Sequence, residues 1–238
     1  MRIMLAFEPM SNFNYYNIDK YTIQGFIYNI LKHTRFSSFH SINGFKFFNF
    51  SNIFPVNDFE KGKSKSIIIS SPNSKFIKTI YHSLKSIDEF YLGKYKMIIK
   101  NLKIFDSCQN NRFISSTPIV LYENNQTNTY FSFRKNQDFD FFFNRIKDNA
   151  IKKYNAFYDD DYQTDDNLFD SFEFSKEVSV RLNKNKNDFI IIGSLWKNLE
   201  KKDFNNEKNN KKLYKFLLDT GLGEKNSLGF GMINNVRK

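Results

Sequence analysis

Apolar residues in this chain switch between the two-residue period of a strand and the 3.6-residue period of a helix, and the switches come twice in the same order. Residues 1 to 8 alternate loosely, as a strand does. From about Tyr21 the period lengthens: Ile23, Ile27, Ile30 and Leu31 fall at i, i+4, i+7 and i+8, one apolar helix face. Phe45 to Phe50 reads as a strand, and Ile67 to Ser70 as a more buried one. Ser71-Pro72 reads as the next helix start, with Ser as cap and Pro in the first turn, and Ile77, Ile80, Tyr81 and Leu84 as the inner face. Phe90 to Phe105 closes the unit as strand, giving β-α-β-β-α-β.

The second half repeats that order. Phe113 to Tyr122 is expected as a strand, paired in a hairpin with Tyr130 to Arg134. A helix follows from about Phe139 to Phe157, then an acidic, structure-poor insert from Asp159 to Asn167. Val178, Val180 and Leu182 alternate with Ser179, Arg181 and Asn183, a half-buried strand, and Phe189 to Leu195 is a more buried one. The last helix uses Leu213, Phe216 and Leu217 and stops at Gly221, and Phe230 to Val236 is the final strand. The expected fold is α+β: two tandem ferredoxin-like (RRM-like) domains, 1–108 and 109–238, divided within Asp106 to Asn111. The repeat is one of topology and not of sequence, and a fold by itself assigns no function.

Composition narrows the partners. The net charge of +11 favours a polyanion, since each phosphate neutralised releases counterions; part of the lysine excess also reflects a bias toward Lys, Asn, Ile and Phe. Cys108 is the sole cysteine, so no internal disulfide forms, which fits a reducing cytoplasm. One Cys and three His argue against a zinc site, and no metal or other cofactor is expected. The N-terminus, broken by Glu8, lacks the form of a signal peptide, and no run approaches the ~20 apolar residues of a membrane span, so a cytoplasmic protein is expected.

Four of the nine glycines, Gly221, Gly223, Gly229 and Gly231, lie in the stretch GLGEKNSLGFG between the last helix and last strand. Such residues let a backbone pass close to another surface, and N–H groups beside Lys225 suit a phosphate. The stretch is neither a P-loop nor a dinucleotide fingerprint, and a helix cap running into a tight turn is the plain alternative.

GEKNSLGFGM, Gly223 to Met232, resembles the C-terminal glycine-rich loop of the CRISPR-associated precursor-RNA endoribonucleases, the Cas-six family of the repeat-associated mysterious protein superfamily. IQGFIYN (Ile23 to Asn29) followed by FHSINGFKFFNFS (Phe39 to Ser51) is a second match, and FISSTPIVL (Phe113 to Leu121) a third, all in the family's order. Residues 52 to 105 and 123 to 210 carry little resemblance. The likeness implies tandem ferredoxin-like domains and metal-independent cutting of CRISPR repeat RNA within a precursor, yielding guide crRNAs. It further implies attack by the RNA's own 2′-hydroxyl, leaving a 2′,3′-cyclic phosphate and a 5′-hydroxyl.

Within that resemblance Tyr28, His40 and Lys46 match the catalytic tyrosine, histidine and lysine. Tyr28 sits about 100° around the helix from Ile27, on a polar stripe with Gln24, Lys32 and Arg35. Histidine suits proton transfer near neutral pH, so His40 is assigned general acid, with base or phosphate-orienting roles open. A phenol with pKa near 10 is a poor base unless nearby positive charge lowers it, so Tyr28 either accepts the 2′-proton or holds the hydroxyl in line. Lys46 would stabilise charge growing on the phosphorane.

RNA contacts are expected in the cleft between domains, near Arg35, Lys46, Lys225, Asn226 and Ser227 and the loop glycines Gly223, Gly229 and Gly231. His33 is expected at the surface, His82 inert, and Trp196 in the core or on a sheet face. The acidic insert reads as a flexible solvated loop. The competing reading is a non-catalytic RNA-binding scaffold subunit of a CRISPR effector complex on the same fold. Homodimerisation and hand-over of product to such a complex are left open.

Overall fold

The computed structural model describes residues 1–107, 110–124, 126–184, 187–202, 204 and 208–236. Cys108 lies outside them. In the first half β1 (Arg2–Pro9) runs through the middle of a five-stranded antiparallel sheet. It pairs on one side with β3 (Lys65–Ser70) and on the other with β5 (Tyr95–Phe105). β2 (Asn49–Phe50) forms the outer edge beside β3 and β4 (Glu89–Leu92) the edge beside β5. The order β2-β3-β1-β5 is that of a ferredoxin-like sheet, with β4 as an added edge. Helices α1 (Lys20–Leu31) and α2 (Ser74–Lys85) bury Ile23, Phe26, Ile27, Leu31 and Phe76, Ile77, Ile80, Leu84 against Ile3, Leu5, Phe7, Ile67 and Ile69. Each such side chain contributes about 1.5–3 kcal/mol by leaving water.

The second half has strands β6 (Arg112–Ser115), β9 (Ser171–Lys184), β10 (Asn187–Glu200) and β11 (Ile233–Asn235) in the order β11-β6-β10-β9, all antiparallel, the ferredoxin-like order again. A short hairpin, β7 (Tyr122–Asn124) and β8 (Thr129–Tyr130), stands apart. Helices α3 (Phe139–Tyr158) and α4 (Lys208–Thr220) complete it. Trp196 is in this core, its ring against Phe133, Phe142 and Phe143.

The halves meet through polar side chains of the first bonded to backbone carbonyls of the second. Arg2 donates to Leu218 O at 2.7 Å and Ile233 O at 2.8 Å, and also to the Asn234 side chain. Asn49 Nδ2 donates to Phe230 O at 2.8 Å. The last carbonyls of a helix have no partner within it, so Leu218 at the end of α4 offers its carbonyl without cost to the helix's own ladder. Burial lowers the Arg2 pKa to about 10, which leaves it charged at neutral pH.

Local expectations need correcting at several places. Strand pairing at Phe45 to Phe50 is confined to Asn49–Phe50, so Lys46 sits in the preceding loop and not at a strand head. The α2 cap is Asn73, whose side chain accepts from the N–H groups of Lys75 and Phe76; the Ser71 hydroxyl is committed to Phe47 O at 2.6 Å. Phe90 to Phe105 is a hairpin turned at Gly93, and Phe113 to Tyr122 splits between β6 and β7. The acidic insert is anchored, with Tyr162 packed on Tyr154 and its carbonyl accepting from Asn155 at 3.0 Å. Among the described residues no helix is long and apolar enough to cross a membrane.

Candidate active site

α1 begins at Asp19, whose side chain accepts from Thr22 N at 2.7 Å. That start sets the helix phase: Ile23 and Ile27 face the core, and Gln24, Tyr28 and Lys32 face a cleft of about 500 Å³ that His40 also lines. Tyr28 is half-buried and His40 exposed. The loop carrying His40 is anchored by aromatic side chains that sequence reading passed over. Phe39 stacks on Phe76 at 5.5 Å, and Phe36 and Phe48 meet the same ring at 5.3 Å each. His40 thus ends a one-turn helix whose other side is nailed to the core.

Lys46 completes the group. Its Nζ donates to Tyr28 Oη at 3.1 Å and to His40 O at 3.2 Å. The Tyr28 and His40 rings meet edge-on, centroids 5.4 Å apart. The next residue, Phe47, adopts a left-handed conformation with φ of 49°, and its ring reaches across to Phe157 and Phe216 of the second half. The three residues matched to catalytic positions are therefore in contact, although 18 positions separate Tyr28 from Lys46 in the chain.

Burial raises the Tyr28 pKa to about 12, outweighing a hydrogen bond with the Ser227 side chain that acts the other way. A neighbouring ammonium was the condition for a basic tyrosine, and one is present at 3.1 Å, yet desolvation wins. The phenol is neutral near pH 7, accepts from Lys46 and keeps its own hydrogen to donate.

The glycine-rich loop of the other half abuts α1 beside this cleft. Gln24 Nε2 donates to Ser227 O at 2.8 Å. Lys225 is exposed, its Nζ 5.5 Å over the Tyr122 ring, and with Lys46, Gly223 and Ser227 it lines a polar cavity of about 190 Å³. The loop glycines are interior. Gly229, at φ +76°, would put a Cβ 2.4 Å from the Phe50 ring, and Gly231, at φ +73°, would put one 1.9 Å from Leu222 O. Gly229 N and Gly231 N are spent on Asn226 O and Pro118 O. The Asn226 side chain also turns inward, donating to Leu222 O and Phe230 O at 3.0 Å each. The tip, Glu224 to Ser227, lines the small cavity together with Gly223. Arg35 lies beyond the helix end with its guanidinium over Phe36 and lines neither cavity. His33 and His82 are exposed. Among the described residues no set of three His, Cys, Asp or Glu is gathered as metal ligands.

Two ferredoxin-like halves are thus joined through a buried glycine-rich loop, with Tyr28, His40 and Lys46 gathered at the junction. Comparison with known proteins gives the family. Residues 99–235 match the family model for CRISPR associated protein Cas6, C-terminal. A CRISPR-associated endoribonuclease Cas6 of Methanocaldococcus jannaschii is 43% identical over 244 residues, with 100% of both chains covered. Another, from Haloferax mediterranei, is 21% identical over 100% of this chain and 94% of its own. A solved CRISPR associated protein Cas6 superposes with a TM-score of 0.70 at 26% identity, covering 100% of this chain and 99% of that one. A Cas6-related protein from Pyrococcus furiosus gives 0.72 at 21% identity, with the same coverage. The chain belongs to the Cas6 family.

Proposed function

We propose that the chain is a metal-independent endoribonuclease that cleaves CRISPR repeat RNA in precursor transcripts to release guide crRNAs. The observation that carries this reading is the contact of Tyr28, His40 and Lys46 with one another, beside the glycine-rich loop whose Ser227 bonds to Tyr28 and Gln24. The halves 1–108 and 109–238 divide the work: the first supplies the reacting groups, the second the loop tip that holds the RNA backbone.

In this reading the RNA 2′-hydroxyl attacks the adjacent phosphorus and gives its proton to solvent water in the cleft. The 5′-oxygen leaves with a proton from His40, and a 2′,3′-cyclic phosphate forms. Lys46, the Lys225 ammonium and the tip backbone stabilise the growing charge on the phosphorane, the largest single contribution such sites make. Tyr28 places the 2′-hydroxyl in line and does not take its proton, because its own pKa stands at about 12. A raised phenol pKa means the proton is retained, so the ratio of wild-type to Tyr28→Phe single-turnover rates is expected to stay flat from neutral pH to about pH 10. A tyrosinate base would make that ratio climb about tenfold per pH unit.

The deciding experiment is cleavage of a cognate repeat RNA in excess EDTA with both new ends analysed. The expected products carry a 2′,3′-cyclic phosphate and a 5′-hydroxyl, and a 2′-deoxynucleotide at the cut abolishes them. Tight binding with no cutting would place the chain among scaffold subunits instead. The same reading takes in a cytoplasmic location, pairing of two copies and hand-over of product to an effector complex. Light scattering with and without RNA, and product-release kinetics, check the last two.

A further inference from the structure

The glycine-rich loop is held by two buried lysines, one from each half; Lys153 also borders the small cavity beside Lys46 and Lys225, and Lys20 borders neither cavity. Lys153, on α3, is 2% exposed. Its Nζ donates to Gly221 O at 2.7 Å, Asn226 Oδ1 at 2.8 Å and Gly223 O at 3.1 Å. Three acceptors match the three N–H bonds of an ammonium; a neutral amine would leave one carbonyl unpaired. Lys20, the first residue of α1, is 8% exposed and grips the far arm, donating to Gly229 O at 2.7 Å and Asn52 Oδ1 at 3.2 Å. Its ammonium also lies 4.8 Å over the Phe230 ring. Between these two grips lies the tip, whose Ser227 bonds to Tyr28 and Gln24.

Burying a cation is expensive, and burial draws both groups down to about 7, against the opposing charge of Glu224 in the case of Lys153. Leu or Met at either position would fill the space without that expense. What the lysines supply, and an apolar side chain does not, is a directional hold on carbonyls of a loop whose glycines provide no side chains to pack.

We propose that Lys153 and Lys20 are positioning residues for cleavage, fixing the two arms of the glycine-rich loop so that its tip meets Tyr28 and faces the scissile phosphate. This rests on the endoribonuclease reading above. The test pairs kinetics with hydrogen exchange in Lys153→Met and Lys20→Met. Each variant is expected to lose on the order of 10- to 100-fold in saturating single-turnover rate per folded molecule, with half-saturation little changed, because a reacting group is misplaced and not removed. Amides of residues 224–229 exchange faster while those of β1, β3 and β10 do not. The double variant loses less than the product of the single losses, since a loop freed at one arm gains little from the second hold. Wild-type rates per folded molecule, or exchange that rises evenly through both sheets, would overturn the proposal. If Lys153→Met yields no folded protein, Lys20→Met and Asn226→Ala, which keep Lys153 in place, read the same loop. If the wild-type chain leaves repeat RNA uncut, the nuclease reading fails, and the exchange pattern still decides whether the lysines hold the loop.

Discussion

His40→Ala is expected to slow cleavage of a cognate repeat RNA by about 10²–10⁴-fold, the usual contribution of a positioned proton donor. The substitution isolates chemistry from folding. His40 is exposed and touches the Tyr28 ring edge-on. Its loop is held by Phe39 and Phe36 on Phe76, not by the imidazole. The carbonyl that receives Lys46 belongs to the backbone and survives the change. Stability should therefore move by no more than about 0.5 kcal/mol, as for other surface substitutions. RNA affinity should hold as well, because most of it comes from phosphate contacts spread over many lysines and arginines. Single-turnover cleavage in enzyme excess, alongside filter binding, checks both halves of the expectation. An unchanged rate would remove His40 from the reaction.

Gly231→Ala is expected to be the most damaging small substitution in the loop. At φ +73° an alanine carries the left-handed penalty of about 1–2 kcal/mol. Its methyl would also lie 1.9 Å from Leu222 O. Neither side can give way cheaply: Leu222 N bonds to Gly231 O at 2.8 Å and Gly231 N to Pro118 O at 2.7 Å. Overpacking of this kind adds about 1–3 kcal/mol. The sum, about 2–5 kcal/mol, is a large part of a typical net stability of ~5–15 kcal/mol. Thermal melting should fall on the order of 10 °C. Gly62→Ala is the matched control, with φ +76° and no atom within 4 Å of the new methyl, so it bears the backbone penalty alone. Equal losses in the two variants would show that the close approach at Gly231 does not matter.

The helix phases, the ferredoxin-like order of the main elements and the glycine-rich loop at the junction were readable in the chain. Amphipathic periods are local, and with Phe26 on the apolar side of Ile27, Tyr28 on its other side turns to the polar face. Clustered glycines marked a close approach, because little else in the chemistry of glycine rewards their concentration. Local signals failed where two choices were equally good. KFFNF has the apolar content of a strand throughout, but only Asn49 and Phe50 pair, because Phe47 turns away to pack on Phe157 and Phe216. Ser71 and Asn73 are both capping types, and Phe47 O, drawn in by that turn, takes the Ser71 hydroxyl.

What tertiary structure alone decided is where charge goes inside. Lys152 and Lys153 are adjacent and identical in type, yet the first is exposed and the second buried. Lys153 lies on the side of α3 that meets carbonyls some 70 positions along the chain, and Lys20 meets one 209 positions away. Periodicity is a property of neighbours and can be read from them. The burial of an ammonium depends on acceptors that only the finished fold assembles, since without them the desolvation of the charge would keep it in water.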